Sequence, residues 1–135
     1  MSQIVSKPAS ILIVEDEVLI ALFTSATLSD LGYDVIGIAK TAEDALQTAN
    51  RHRPDLVLMD ITLRGQGDGI EAAQRLKEHL GVPVLFVTAH ADGTTMERAA
   101  AAKPAGYLVK PFSPRQLGEA VSGALDVTIR PGGQS

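Results

Sequence analysis

The sequence predicts a doubly wound α/β fold, a parallel sheet with helices on both faces, on three observations. Short β-rich apolar runs alternate with stretches of helical periodicity, the mark of repeated βα units. The runs are continuously apolar, as strands buried on both faces are. Four of them stop at residues that can do chemistry: Ile11-Leu12-Ile13-Val14 at Glu15-Asp16, Leu56-Val57-Leu58-Met59 at Asp60, Val84-Leu85-Phe86-Val87 at Thr88, and Tyr107-Leu108-Val109 at Lys110-Pro111. In an open parallel sheet the ligand site lies beyond the carboxyl ends of the strands, where strand order reverses. Three acids, a hydroxyl and an ammonium therefore belong to one crevice.

Ile11 opens the first strand. After Asp16, Leu19, Leu22, Phe23 and Ala26 repeat at helical spacing, the pattern of an apolar face, and Gly32 ends that helix. Tyr33 to Ala39 reads as the second strand. Thr41 caps a helix whose buried side is Ala42, Ala45, Leu46 and Ala49, with Asp44 in capping-box position. Pro54 separates it from a third strand, Asp55 to Asp60. Leu63 to Gly69 is a glycine-rich loop. The next helix buries Ile70, Ala73, Leu76 and Leu80 and stops at Gly81, and Val82 to Val87 is the fourth strand. An alanine-rich helix from about Asp92 to Ala102 has a weak apolar face, which predicts a shallowly packed, movable element. Ala105 to Val109 is the last strand. Ser113-Pro114-Arg115-Gln116 is a strong helix start, with Ser113 as N-cap, Pro114 in the first turn and Gln116 closing the box. Leu117, Ala120, Val121 and Ala124 form the buried stripe of that helix.

Five strands and five helices with right-handed crossovers give the strand order 2-1-3-4-5, with the crevice between strands one and three. Residues 1–9 read as an N-terminal extension, 10–126 as one domain and 127–135 as a flexible tail. The 135 residues suffice for one core, and 45% apolar and 21% charged residues are ordinary for a globular protein. A net charge of −4 without a basic patch argues against nucleic-acid binding. No cysteine is present, so disulfides and thiolate metal sites are excluded. No signal-peptide pattern and no membrane-spanning stretch is visible, so the expected location is the cytoplasm.

Carboxylates ~5 Å apart repel by roughly 3 kcal/mol at an effective dielectric near 20, a cost that packing does not explain. A divalent cation relieves it. Mg²⁺ suits Glu15, Asp16 and Asp60, because it takes oxygen ligands and favours phosphate oxygens; the backbone carbonyl of Thr62 can supply another. Asp60, at the end of its strand, is placed to act as a nucleophile toward phosphorus. Metal and Lys110 would stabilise phosphoryl charge, and the Thr88 hydroxyl can donate to a phosphoryl oxygen of the product.

The stretches Ile11-Leu12-Ile13-Val14-Glu15-Asp16-Glu17, Leu56-Val57-Leu58-Met59-Asp60, Val84-Leu85-Phe86-Val87-Thr88-Ala89 and Gly106-Tyr107-Leu108-Val109-Lys110-Pro111-Phe112 fall in the order and at the spacing of a known family. From about residue 10 to residue 126 the chain resembles a two-component response-regulator receiver domain of the chemotaxis-regulator type, a flavodoxin-like (βα)5 fold. The resemblance implies Asp60 as phospho-acceptor, Glu15 and Asp16 as the acidic pair for Mg²⁺, Thr88 as switch hydroxyl and Lys110 as phosphate-binding lysine. It implies Tyr107 as the aromatic whose rotation follows Thr88, and a cis peptide between Lys110 and Pro111. Glu15 stands where many relatives have Asp, and the resemblance implies that its longer side chain reaches the metal through water.

The resemblance also implies a histidine kinase or histidine phosphotransfer protein as phosphodonor. It extends to small receivers paired with HWE-type kinases of bacterial stress signalling. With the fifth helix so near the end, the expectation is a stand-alone receiver that acts as relay, sink or adaptor through a protein partner or a homodimer formed by the last two helices and last strand. Its chemistry would be confined to its own phosphorylation and dephosphorylation, so it is not expected to be an enzyme.

Other readings have less support. Glu15-Asp16 as a mere helix-start pair does not account for Asp60. Gly65-Gln66-Gly67-Asp68-Gly69 mimics a dinucleotide fingerprint, but follows the third strand with the wrong spacing, and no P-loop pattern exists. His52, His79 and His90 lack metal-ligand spacing and read as surface residues; His90, two residues past Thr88, is a candidate tuner of phosphate lifetime, as is Thr62. A Mg²⁺-dependent phosphohydrolase with an Asp nucleophile would want an acid two residues after Asp60, where Thr62 stands. A flavin carrier would want a phosphate-cradling loop where Glu15-Asp16-Glu17 stand. A receiver-like binding module working without phosphate is the remaining alternative.

Overall fold

Side chains that alternate along each strand build two separate cores, one on either face of the sheet. The computed structural model describes residues 7–63, 69–89 and 93–129. The elements are β1 (Ser10–Val14), α1 (Val18–Asp30), β2 (Asp34–Ala39), α2 (Ala42–His52), β3 (Leu56–Asp60), α3 (Gly69–Arg75) with a π-helical turn at Leu76–Leu80, β4 (Val84–Thr88), α4 (Gly93–Ala101), β5 (Gly106–Val109) and α5 (Pro114–Ile129). All neighbouring strands pair in parallel, in the order β2-β1-β3-β4-β5.

Leu12, Val14, Val57, Met59 and Phe86 point to the face covered by α2, α3 and α4. Ile11, Ile13, Leu58, Leu85 and Val87 point to the face covered by α1 and α5. Every residue of β3 and of β4 is buried, which explains their unbroken apolar sequence. The caps hold α2 and α5 where the sequence starts them. The Thr41 hydroxyl accepts the Asp44 N–H at 3.1 Å. At Ser113 the box is reciprocal: Ser113 Oγ accepts the Gln116 N–H, and Gln116 Oε1 accepts the Ser113 N–H.

The structure departs from the sequence reading in three places. In α1, Leu19, Leu22, Phe23 and Ala26 face outward, and the helix docks through Ala21, Thr24 and Leu28. Both stripes have helical spacing, so periodicity could not choose between them. The docked stripe has small residues that let the helix lie close to the sheet. Its buried Thr24 hydroxyl is satisfied by donating to the Ile20 carbonyl at 2.8 Å. Second, the third helix ends in a π turn before Gly81, whose φ of 67° closes it. Third, α5 runs to Ile129, three residues into the expected tail. The glycine-rich stretch 64–68, His90, Asp92, residues 1–6 of the extension and residues 130–135 of the tail lie outside the described residues.

Candidate functional site

Sheet register brings the site together. Val14 pairs with Met59 and Asp60 with Val87, so Glu15, Asp60 and Thr88 leave three adjacent strands at one level. Thr88 pairs with Val109, and its carbonyl accepts the Lys110 N–H at 2.8 Å. One oxygen from each of Glu15, Asp16 and Asp60 lies within 4.8 Å of the others. Glu15 and Asp60 are each only 4% exposed.

The Lys110 ammonium sits among these acids. Its Nζ lies 2.9 Å from Glu15 Oε1, 3.2 Å from Asp60 Oδ2 and 3.5 Å from Glu17 Oε1. The other Asp60 oxygen, Oδ1, accepts the Thr62 N–H at 3.0 Å. Glu15 Oε2 accepts the Glu17 N–H at 3.1 Å, and no side chain caps α1 from Glu17 itself. Burial works against the Lys110 ammonium, but the Glu15 hydrogen bond and the Asp60 and Glu15 charges outweigh it and hold its pKa above the ordinary value. Burial pushes the Glu15 carboxyl up, with the Asp60 charge adding and the Lys110 bond opposing.

Gly69 begins α3 against this site. A Cβ there would overlap the Asp60 carbonyl oxygen and press on Met59 Cγ at 3.0 Å, so glycine is what lets the chain pass so close. The Lys110–Pro111 peptide is cis. Beyond it, the Phe112 ring packs against that of Phe23 of α1 in a tilted arrangement, with centroids 5.9 Å apart. These rings, Ile20, Ala89, Pro111, Glu17 and Lys110 line a largely apolar groove of about 370 Å³ beside the acids. Tyr107 stands apart: the residue is 37% exposed on the edge strand, and its ring centroid lies 6.3 Å from that of Phe86. His52 and His79 are exposed.

Among the described residues the cluster consists of hard, converging carboxylate oxygens without sulfur or imidazole, a donor set that fits Mg²⁺. Lys110 in the same cluster gives a second positive charge for phosphoryl oxygens. The sequence reading missed two participants. Glu17 closes the cluster around Lys110, and the Glu15-Asp16-Glu17 run was its signal. Gly69 was read as part of a loop, although a glycine directly before an apolar helix pattern can mark a close approach.

Comparison with known proteins agrees with this geometry. The chain matches the response regulator receiver domain family over residues 11–122. It is 37% identical over 118 residues to the transcriptional regulatory protein PdtaR of Mycobacterium tuberculosis, covering 87% of this chain and 57% of that protein. It is 40% identical over 117 residues to the phyllosphere-induced regulator PhyR of Methylorubrum extorquens, covering 85% and 43%. The chain thus spans about half the length of the curated relatives it matches. Among solved structures, the receiver domain of a modulated diguanylate cyclase from Desulfovibrio desulfuricans superposes with a TM-score of 0.85 at 38% identity, covering 90% of this chain and 97% of that one. A CheY-like receiver domain protein from Methanospirillum hungatei gives 0.83 at 30%, covering 93% and 99%. Fold, acidic cluster and sequence agree: this chain belongs to the response-regulator receiver family of two-component signalling.

Proposed function

We propose that Asp60 accepts a phosphoryl group from a phosphohistidine on a histidine kinase or phosphotransfer protein, and that the chain passes this signal to a protein partner. A carboxylate oxygen of Asp60 attacks phosphorus as the P–N bond breaks. The donor imidazole leaves with the electron pair and takes up a proton, and Asp60 carries an acyl phosphate. The observation that carries this reading is the Lys110 ammonium 3.2 Å from Asp60 Oδ2, inside a cluster of three converging carboxylates.

Asp16, Asp60, Glu15 and the Thr62 backbone carbonyl are the groups that would hold Mg²⁺, which when bound supplies charge neutralisation at the phosphoryl oxygens. Lys110 shifts a donor from Asp60 to a phosphoryl oxygen. Thr88, buried at the end of β4, donates its hydroxyl to another and is drawn inward. Tyr107 follows by filling the space Thr88 vacates. The responding face is α4, β5 and α5. Of the described α4 residues only Ala99 is buried, and Tyr107 and Val109 are exposed on the edge strand. That face would bind a downstream partner or a second copy. A role as relay, sink or adaptor, with an HWE-type kinase as donor, is the finer form of this reading that the family resemblance suggests.

Intact mass after incubation with a small phosphodonor tests it. One phosphoryl group should be added to the wild type with Mg²⁺, and none to Asp60→Asn or after chelation. No adduct from either a small donor or a kinase would favour a receiver-like binding module that works without phosphate. Turnover of a generic phosphomonoester would favour a phosphohydrolase.

A further inference from the structure

We propose that the groove between α2 and the π turn at Leu76–Leu80 binds a small organic carboxylate with one ring-sized apolar body, at the end of the domain opposite Asp60.

α2 leads into β3 and α3 into β4, so the last turns of both helices lie toward the amino ends of these strands, whereas Asp60 closes the carboxyl end of β3. The two helices pack against each other. Between them Leu46, Asn50, Arg75, His79 and Leu80 line a groove of about 170 Å³. Leu46 and Leu80 are half-buried and supply its apolar floor, while Asn50, Arg75 and His79 are exposed and supply its polar rim.

The π turn shapes this site. At ~100° per residue, side chains five apart on an α-helix diverge by about 140°, so Leu80 would turn away from Arg75. The i→i+5 bonding of a π turn brings such residues toward one face. Arg75, His79 and Leu80 thus line the same groove, and Gly81, with a φ of 67°, ends the helix directly after them.

The rim is basic on a chain whose net charge is −4. Among the described residues, neither Arg75 nor His79 has an ion pair or a side-chain hydrogen bond. Lys77 of the same turn is committed elsewhere, since its Nζ donates to the Lys103 carbonyl at 2.9 Å. Basic side chains in a last helical turn offset the dipole there, which accounts for their charge. It does not account for an apolar hollow between them.

Volume and donors select the ligand. An apolar cavity of roughly 150 Å³ holds benzene, so this groove takes one ring or a short branched chain. Drug-sized ligands and nucleotides need about 300 Å³ or more. The planar Arg75 guanidinium matches a carboxylate through two parallel hydrogen bonds, and the His79 ring and the Asn50 amide can donate to the remaining lone pairs.

Titration of the full chain with benzoate, followed by proton–nitrogen NMR spectra, tests the assignment. Saturable shifts should be confined to residues 46–50 and 75–81. Binding should weaken at least tenfold in Arg75→Gln and at least threefold in His79→Gln, with the rest of each spectrum unchanged because both side chains are exposed. Benzyl alcohol, which has the ring without the charge, and acetate, which has the charge without the ring, should each bind at least tenfold more weakly than benzoate. No saturable shift, shifts centred elsewhere, or equal binding by Arg75→Gln would overturn the proposal. Benzyl alcohol binding as tightly as benzoate would reduce the groove to an apolar hollow, and acetate or inorganic phosphate doing so would reduce it to a general anion patch; either result overturns the proposal as well. None of these readings depends on phosphorylation of Asp60, so the proposal stands or falls apart from the acceptor reading.

Discussion

Replacing Asp60 by asparagine should make the metal-free protein more stable, although it removes a buried contact to lysine. The oxygens of Glu15, Asp16 and Asp60 lie within 4.8 Å of one another. At an effective dielectric near 20, each of the two pairs that involve Asp60 repels by about 3.5 kcal/mol. Lys110, at 3.2 Å, returns about 5 kcal/mol on the same scale. The balance is about 2 kcal/mol against the Asp60 charge, before any cost of its burial. Asparagine keeps an acceptor for the Thr62 N–H, and Lys110 keeps Glu15, so neither partner is orphaned. The expected gain is about 1–2 kcal/mol, or about 4–8 °C in Tm for a domain of this size. Thermal melts followed by circular dichroism in a chelating buffer would measure it, with Asp34→Asn on exposed β2 as a control that should barely move. Mg²⁺ should then stabilise the wild type more than Asp60→Asn, because a cation that binds the folded site raises its stability by mass action. If Asp60→Asn melts at or below the wild type without metal, the carboxylates do not repel as the geometry requires.

Gly69→Ala should lower the urea midpoint by the equivalent of about 1–3 kcal/mol with an unchanged m-value, since a Cβ would collide with the Asp60 carbonyl. Leu28→Ala should cost about 2–4 kcal/mol and Leu19→Ala less than about 0.5, because Leu28 is 0% and Leu19 81% exposed; the reverse order in urea melts would overturn the docking of α1. The Lys110 pKa is raised above 10.5, so its contribution is complete below that pH and is lost as pH climbs through the higher folded value. The stability difference between wild type and Lys110→Met should therefore shrink as the pH rises above 10.5. A difference that is constant across that range would mean Lys110 has no charged partner in the fold.

The strands and the five acid, hydroxyl and amine positions were legible because β3 and β4 are buried on both faces and end abruptly at polar residues. Capping residues located α2 and α5 closely, since a Thr41 or Ser113 side chain that bonds the backbone leaves a local signature. The docking face of α1 was not legible. Val18, Leu19, Leu22 and Phe23 are larger and more apolar than the Ala21 and Thr24 that actually pack, so hydropathy pointed the wrong way. The π turn at Leu76–Leu80 carries no side-chain mark of its own. The Lys110–Glu15 contact joins residues from strands that do not touch, so it depends on strand order rather than on spacing.

The outward stripe of α1 has a consequence for how such a chain can diverge. Its inner residues are fixed by the sheet, while Leu19 and Leu22 on the outer side are exposed and Phe23, packed against Phe112, lines the groove beside the acids. Substitutions at exposed positions such as Leu19 and Leu22 can accumulate with little change in folding or in the chemistry of the acids. Drift there would be filtered chiefly by what docks near the groove. Duplicated copies of this domain could thus part company by a few surface changes on one helix while sharing an identical reaction centre.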